Sequence, residues 1–515
     1  MGAAGVSRIG IDVGGTNTDA VLIDGGDVRA WAKRSTTQDV TSGIMSALND
    51  VLAEAHDDPI QAIMIGTTHF TNAVVQRREL APIAVIRLGA PATESLPPLV
   101  DWPDDLAAMV LGHYEILPGG HEFDGRELSP LDPAALRAAA RRIKEKGLRT
   151  VAVSAVFSPI DTGSEERAAA ILADELPGAD ITMSHKVGRL GLIERENATA
   201  LNAALLPLGR RIVAAFQHAV AERGLTARVY LTQNDGTLMN AEYAARYPVL
   251  TFASGPSNSM RGAAYLSGVE DGFVVDIGGT TTDVGALVRG FPRPAAPGVD
   301  IGGVRTNFRM PDVLSIGLGG GSLVRRDPIR VGPDSVGFRI TEKALVFGGD
   351  TITATDVGVA AGRGAIGDPD NVRAVDALFS RAALEEIDRA LDAAVDRMRT
   401  RADRLPVVLV GGGAFLADEI SGSDKIVSPP HAAVANAVGA AIAQVSGEVD
   451  RVVDLEQQTR DQALLDCRAE AVMQAELAGA EPGTATIVDE EEIPLAYLPS
   501  SASRIRMKAV GDARV

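Results

Sequence analysis

Two segments of this chain share one spelling: an apolar run, an Asp, two glycines, threonines, and a closing Asp. The first reads I9-G-I-D-V-G-G-T-N-T-D-A-V-L-I and the second V274-V-D-I-G-G-T-T-T-D-V-G-A-L. Apolar residues on both sides of a Gly-Gly turn predict a β-hairpin in each case. The glycines expose backbone N–H groups, which together with Thr hydroxyls can cradle phosphate oxygens. A carboxylate at the end of the first strand can hold the water shell of a metal ion. D-x-G-G alone is a weak signal, shared by ordinary glycine-rich turns. Its repetition in the same spelling predicts two related lobes closing on one nucleotide, with Asp12 from one and Asp276 from the other. The chain has no Walker loop and no G-x-G-x-x-G after its first strand.

At 515 residues the chain has room for two or three domains, each with its own core. A net charge of −19 argues against nucleic acid or an anionic membrane surface as the main partner. The same charge means that ATP must be drawn in by local dipoles and a cation, Mg²⁺, and not by the overall field. A single cysteine, Cys467, leaves no disulfide framework, Cys-ligated zinc site or iron–sulfur cluster to consider. The sequence shows neither a secretory leader nor an apolar run of membrane-spanning length, so the expected location is cytoplasmic.

The pattern divides the chain into a first lobe (1–193, with an insert at about 90–130), a second lobe (194–448) and a C-terminal appendage (449–515). In the first lobe a helix is expected over about 40–55, strands over 62–67, 83–87 and 150–157, and a loop with a hairpin over 113–130. A helix over about 194–221 carries Pro207. The small-residue segment 431–446 suits a closely packed helix, which can lie back between the lobes. The appendage is either a surface for partners or a solvated tail.

The Asp12 hairpin, the Asp276 hairpin and V407-V-L-V-G-G-G-A together resemble the phosphate-1, phosphate-2 and adenosine motifs of the actin, hexokinase and heat-shock-chaperone ATPases. More narrowly, six motifs in order resemble the hydantoinase/oxoprolinase family, in its A type. They are R8-I-G-I-D-V-G-G-T-N-T-D, I65-G-T-T-H-F-T-N-A-V, E194-R-E-N-A-T-A-L-N-A, A253-S-G-P, D276-I-G-G-T-T-T-D-V and I316-G-L-G-G-G-S. The resemblance covers about residues 7–446. It implies an α/β fold of duplicated actin-like (ribonuclease H-like) lobes with a cleft between them. It also implies an enzyme that uses ATP to activate an amide or carbonyl substrate such as hydantoin, 5-oxoproline or a related lactam. An oligomeric assembly that includes a second, B-type subunit is implied as well. The chain departs from the family in lacking most of the long members' C-terminal module, in His69 at a usually apolar position, and in continuing A-S-G-P as S-N-S.

On this basis Asp12 and Asp276 are the expected catalytic and metal-holding carboxylates. Gly14, Gly15, Thr16, Asn17 and Thr18 on one side, and Gly278, Gly279, Thr280, Thr281 and Thr282 on the other, would hold the phosphates. Gly411, Gly412 and Gly413 would let adenosine approach the backbone. Gly319 and Gly320 are a second phosphate or ribose contact, or a plain turn. Thr67, Thr68 and Asn72 would face the substrate or the γ-phosphate. Glu194 or Glu196 would orient a nucleophile, or form a salt bridge with Arg195. Asp283 is either a chemical group or, like Asp19, a hairpin cap. His69, His113, His121 and His185 would bind a metal only if three of them converged. Two other classes stay open: a hexokinase-type kinase acting on a hydroxyl, and a non-enzymatic nucleotide-switched regulator.

Overall fold

Both Asp-Gly-Gly segments fold as hairpins, each in its own sheet. The computed structural model describes residues 7–15, 17–35, 40–55, 59–296, 298–456, 458–495 and 502–514; Thr16 lies outside them. In the first hairpin, strands Ser7–Val13 and Asn17–Asp24 pair antiparallel, with Asp12 opposite Asp19. In the second, Gly272–Ile277 and Thr282–Val288 pair antiparallel, with Asp276 opposite Asp283. The turns close alike: Gly14 N–H donates to Asn17 O at 3.0 Å and Gly278 N–H to Thr281 O at 2.9 Å.

Each first strand also has a parallel neighbour. Asp12 lies beside Gly66 of Ile60–Thr67, and Asp276 beside Val410 of Val407–Val410. The chain therefore leaves these neighbour strands, at Thr68 and at Gly411–Gly413, within two residues of the level of the two carboxylates. The α/β architecture expected from the sequence is the one observed.

Two helices fill the space between these sheets. Helix Ala435–Ile442 packs Ala437, Val438 and Ala441 on Val21 and Ile23 of the first sheet. Helix Ser254–Ser267 packs Met260, Ala263 and Ala264 on Val274, Leu287, Val408 and Val410 of the second. The helices cross at glycines. A Cβ built on Gly262 would lie 1.8 Å from Ala435 O, and one on Gly439 1.8 Å from Asn258 O, so only glycine allows this approach.

The segment after 448, read from the sequence as an appendage, contributes to the first sheet. Val445–Asp454 pairs antiparallel with Ala502–Gly511, which in turn pairs with Thr486–Pro494. Helix Arg460–Leu477 covers these strands and buries Cys467.

One local expectation is corrected. Residues 111–118 are not part of a loop and hairpin but a strand, Leu111–Pro118, in a parallel sheet ordered Leu111–Pro118, Ile83–Ala90, Thr150–Ala155, Asp180–Met183. An edge strand is covered incompletely, so it tolerates His113, Tyr114 and Glu115 and hides the apolar pattern that marks its neighbours. Only the following turn, bridged at His121 and Glu127, is irregular. Among the described residues no helix is long and apolar enough to cross a membrane.

Candidate nucleotide site between the two hairpins

Asp12 is 4% exposed, and each of its oxygens accepts a side-chain amide: Asn258 Nδ2 at 3.2 Å from Oδ1 and Asn436 Nδ2 at 3.0 Å from Oδ2. Burial pushes its pKa up to about 6. The two amides and Lys33 oppose that rise, while Asp19 adds to it. Asp276 is also pushed up to about 6, first by burial. The Ser259 hydroxyl and Lys33 pull it down, and Asp283 and Asp12 push it up. The Asp12 charge thus adds to the rise at Asp276, and Lys33 acts on both carboxylates.

The quasi-equivalence extends to the glycines. A Cβ on Gly66 would stand 2.3 Å from Asp12 Oδ1, and a Cβ on Gly411 2.3 Å from Asp276 Oδ1. Gly411 also has φ +87°, a conformation that other residues rarely adopt. Each carboxylate fills the space that a side chain on the neighbouring strand would take.

The second carboxylate of each hairpin is tied into the scaffold. Lys33 Nζ donates to both Asp19 oxygens at 2.8 Å and to Ala433 O at 3.0 Å. Burial raises the pKa of Asp19, against this pairing. Asp283 accepts the Ser315 hydroxyl, and burial raises its pKa as well.

The expected phosphate-binding groups divide by what they are free to do. Among the described residues, the N–H groups of Gly15 and Gly279 donate to no protein acceptor. Asn17 and Thr280 are half-buried, and Thr281 is exposed at the turn. Thr18 is buried in its strand, and the Thr282 hydroxyl donates to Leu318 O at 2.7 Å. Gly319 N–H donates to Ser322 Oγ at 2.9 Å within its own loop, whereas Gly320 N–H donates to Gly278 O at 2.9 Å and Gly321 N–H to Gly279 O at 2.7 Å, and these two brace the Asp276 turn. Gly413 N–H is bonded to Ile277 O, while Gly412 is exposed with open space over its Cα.

Beside the Asp12 turn, Thr68 donates through both N–H and hydroxyl to Val13 O, and Asn72 Nδ2 reaches Thr68 Oγ1 at 3.4 Å. Thr67 Oγ1 lies 2.7 Å from His69 Nδ1, and burial lowers the His69 pKa. Thr67, Thr68 and Asn72 therefore sit together at the end of the strand next to Asp12.

Glu194 pairs with Arg305 at 3.6 Å, and among the described residues no salt bridge joins it to Arg195. Glu196 is buried and held by Arg87 Nε at 2.8 Å, Arg87 Nη2 at 2.5 Å and Ser154 Oγ at 2.6 Å. The histidines are likewise separate: His113 pairs with Glu115, His121 with Asp161 and His185 with Glu165. Among the described residues, no group of three or more His, Cys, Asp or Glu side chains could hold a metal ion.

Sequence reasoning missed Asn258, Asn436, Ser259 and Lys33. The one available signal was the S-N-S that follows A-S-G-P, which carries Asn258 and Ser259 on one helical turn. A polar cavity of about 170 Å³ lined by His185, Arg189, Asp235, Arg309 and Glu448 lies outside the hairpin pair.

Residues 8–176 match the hydantoinase/oxoprolinase N-terminal region and residues 195–365 match hydantoinase/oxoprolinase. Among curated proteins, the chain is 27% identical over 394 residues to the caprolactamase alpha subunit of Pseudomonas jessenii. It is 26% identical over 402 residues to the acetone carboxylase beta subunit of Xanthobacter autotrophicus. Each match covers 69% of this chain and 54% of the relative, so the chain spans about half the length of the curated relatives it matches. In solved structures, the ATP-dependent caprolactamase from Pseudomonas jessenii superposes with a TM-score of 0.76 at 21% identity, over 99% of this chain and 88% of the other. Nucleotide-free acetone carboxylase superposes with a TM-score of 0.69 at 21% identity, over 100% and 88%. These two share the fold of this chain.

Proposed function

The chain belongs to the hydantoinase/oxoprolinase family, and from that premise we propose that it transfers the γ-phosphoryl group of ATP to the carbonyl oxygen of an amide or ketone. The observation that carries this reading is the pair of carboxylates, Asp12 and Asp276, each at the same register of a matching hairpin and each packed against a glycine of the parallel neighbour strand's end.

The unreactive centre explains the need for ATP. An amide carbonyl resists attack; phosphorylating its oxygen makes that oxygen a good leaving group. Phosphoryl transfer depends on positioning and charge stabilisation more than on covalent help from the protein. The names of the two relatives point to a lactam and a ketone, both of which present a carbonyl. Hydantoin and 5-oxoproline are substrates of the same chemical class.

In this reading Gly15 and Gly279 offer their N–H groups to the phosphate oxygens, helped by Asn17, Thr280 and Thr281. Gly14 and Gly278 close the turns, Thr18 and Thr282 anchor them in the strands, Gly319 packs closely on the second and Gly320 braces it through its N–H. Gly411–Gly413 form the adenosine edge. Thr67, Thr68 and Asn72 face the acceptor.

The donor set suits Mg²⁺, which keeps most of its waters and takes one or two carboxylates. Asp12 and Asp276 would hold it, and the buried Asn258 Oδ1, without a hydrogen-bond partner among the described residues, leaves an acceptor beside Asp12. When bound, the cation supplies charge neutralisation for the phosphate oxygens. Asp19 and Asp283 serve the scaffold. A second subunit completing the reaction agrees with the relatives being named as subunits, and we assign the activity to the cytoplasm.

The test is phosphate release from ATP with caprolactam, hydantoin, 5-oxoproline and acetone in turn. Stimulation by one of these carbonyl compounds, lost in Asp12→Ala and in Asp276→Ala, is expected. A stoichiometric phosphorylated alcohol, or turnover indifferent to all carbonyl compounds, would contradict the proposal.

A further inference from the structure

The two carboxylates of the first hairpin are treated differently. Asp19 receives a full positive charge, since Lys33 Nζ contacts both of its oxygens. Asp12, its cross-strand partner, is equally buried but receives only neutral donors. A carboxylate can only accept, so both amides must turn their nitrogens toward it. A buried carboxylate without a cation is costly, and a purely structural one is normally paired.

Both amides are themselves fixed. Asn258 Nδ2 also donates to Thr232 Oγ1 at 3.1 Å, and Asn436 Oδ1 accepts the Ala437 N–H at 2.9 Å. They come from different helices, and the contact of those helices at Gly262 and Gly439 brings them to one carboxylate. A second observation points to a ligand: Asn258 Oδ1 is buried and has no hydrogen-bond partner among the described residues.

Resting on the nucleotide reading above, we infer that Asn258 and Asn436 are the positioning pair of a divalent-cation site. They orient the Asp12 carboxylate without bonding a cation to it, and the unpartnered Asn258 Oδ1 stays available as an acceptor on the same side chain. The glycine crossing of the two helices sets this geometry.

The experiment uses the full chain with Mn²⁺ as the probe. Mn²⁺ binding is followed by electron paramagnetic resonance, alone and with the non-hydrolysable analogue AMPPNP; AMPPNP binding in EDTA is followed by calorimetry. Asn258→Ala and Asn436→Ala are expected to weaken Mn²⁺ binding by about 10–100-fold. In Asn436→Ala metal-free AMPPNP affinity should stay unchanged while the thermal midpoint falls by no more than one lost hydrogen bond explains, and Asn436→Ser, which keeps a donor, should recover part of the Mn²⁺ loss. Asn436 is half-buried, so its variant serves if the fully buried Asn258 variant does not fold.

Unchanged Mn²⁺ affinity in Asn436→Ala overturns the inference, as does a parallel fall of metal-free AMPPNP binding and thermal midpoint. Wild-type protein that binds Mn²⁺ but not AMPPNP would overturn the nucleotide reading alone, with the positioning pair still judged on Mn²⁺. Wild-type protein that binds neither would overturn both.

Discussion

Asn436 donates its side-chain amide to Asp12 at 3.0 Å across 424 positions of the chain. That bond joins the first hairpin to helix Ala435–Ile442, formed far along the chain. It makes the candidate site a product of the assembled fold, although its two hairpins are local structures.

Partial burial of Asp276 is expected to make the nucleotide-free protein less stable at neutral pH. Its pKa is about 6 in the folded chain against an ordinary 3.8, so the native state holds the proton more tightly than the unfolded one. The contribution favours folding below pH 3.8 and is lost as pH rises through about 6. Asp276→Asn removes a half-buried charge and is expected to raise stability at pH 7.5 by about 1–2 kcal/mol, less than the full shift at about 1.4 kcal/mol per tenfold change in proton affinity because solvent screens the group. Urea unfolding at pH 4.5 and 7.5 checks this: the gain should shrink at the lower pH, and nucleotide turnover should be lost at both.

Lys33 holds Asp19 in place and reaches across to Ala433 O. Lys33→Met leaves a buried carboxylate unpaired and is expected to cost about 2–3 kcal/mol, the lower end for a broken buried pair because the lysine is partly exposed. Adding Asp19→Asn should recover most of that loss. A double-mutant cycle by thermal or urea unfolding measures the coupling; additive losses would contradict the pairing.

The two glutamates at the start of the long helix Leu192–Glu222 should separate cleanly. Glu196→Gln breaks a fully buried pair with Arg87 and is expected to cost about 3–5 kcal/mol while leaving AMPPNP affinity unchanged. Glu194→Gln, whose partner Arg305 is exposed, should change neither stability nor turnover appreciably. Turnover lost in Glu194→Gln, with folding intact, would restore the nucleophile-orienting role weighed from the sequence.

The hairpins were legible because their determinants are local: two apolar runs, a Gly-Gly turn and an Asp at a fixed place in each strand. The helix at 435–442 was legible as small-residue packing, since Gly439 stands in a run of alanines. What it packs against was not, because that depends on Gly262, far off in sequence. Asn258, Asn436 and Lys33 reach the carboxylates only through that crossing and a strand register, so no spacing rule could reveal them. Leu111–Pro118 was misread for the opposite reason. Its local composition is polar because it is an edge strand, and only its neighbours in space identify it as part of a sheet.

A crystal structure of the full chain with Mg²⁺ and AMPPNP tests the central claim most directly. The triphosphate should lie between the Gly14–Gly15 and Gly278–Gly279 turns, with Asp12 and Asp276 both turned toward the cation. A nucleotide bound in the cavity lined by His185, Asp235 and Arg309, or one touching a single hairpin only, would contradict it.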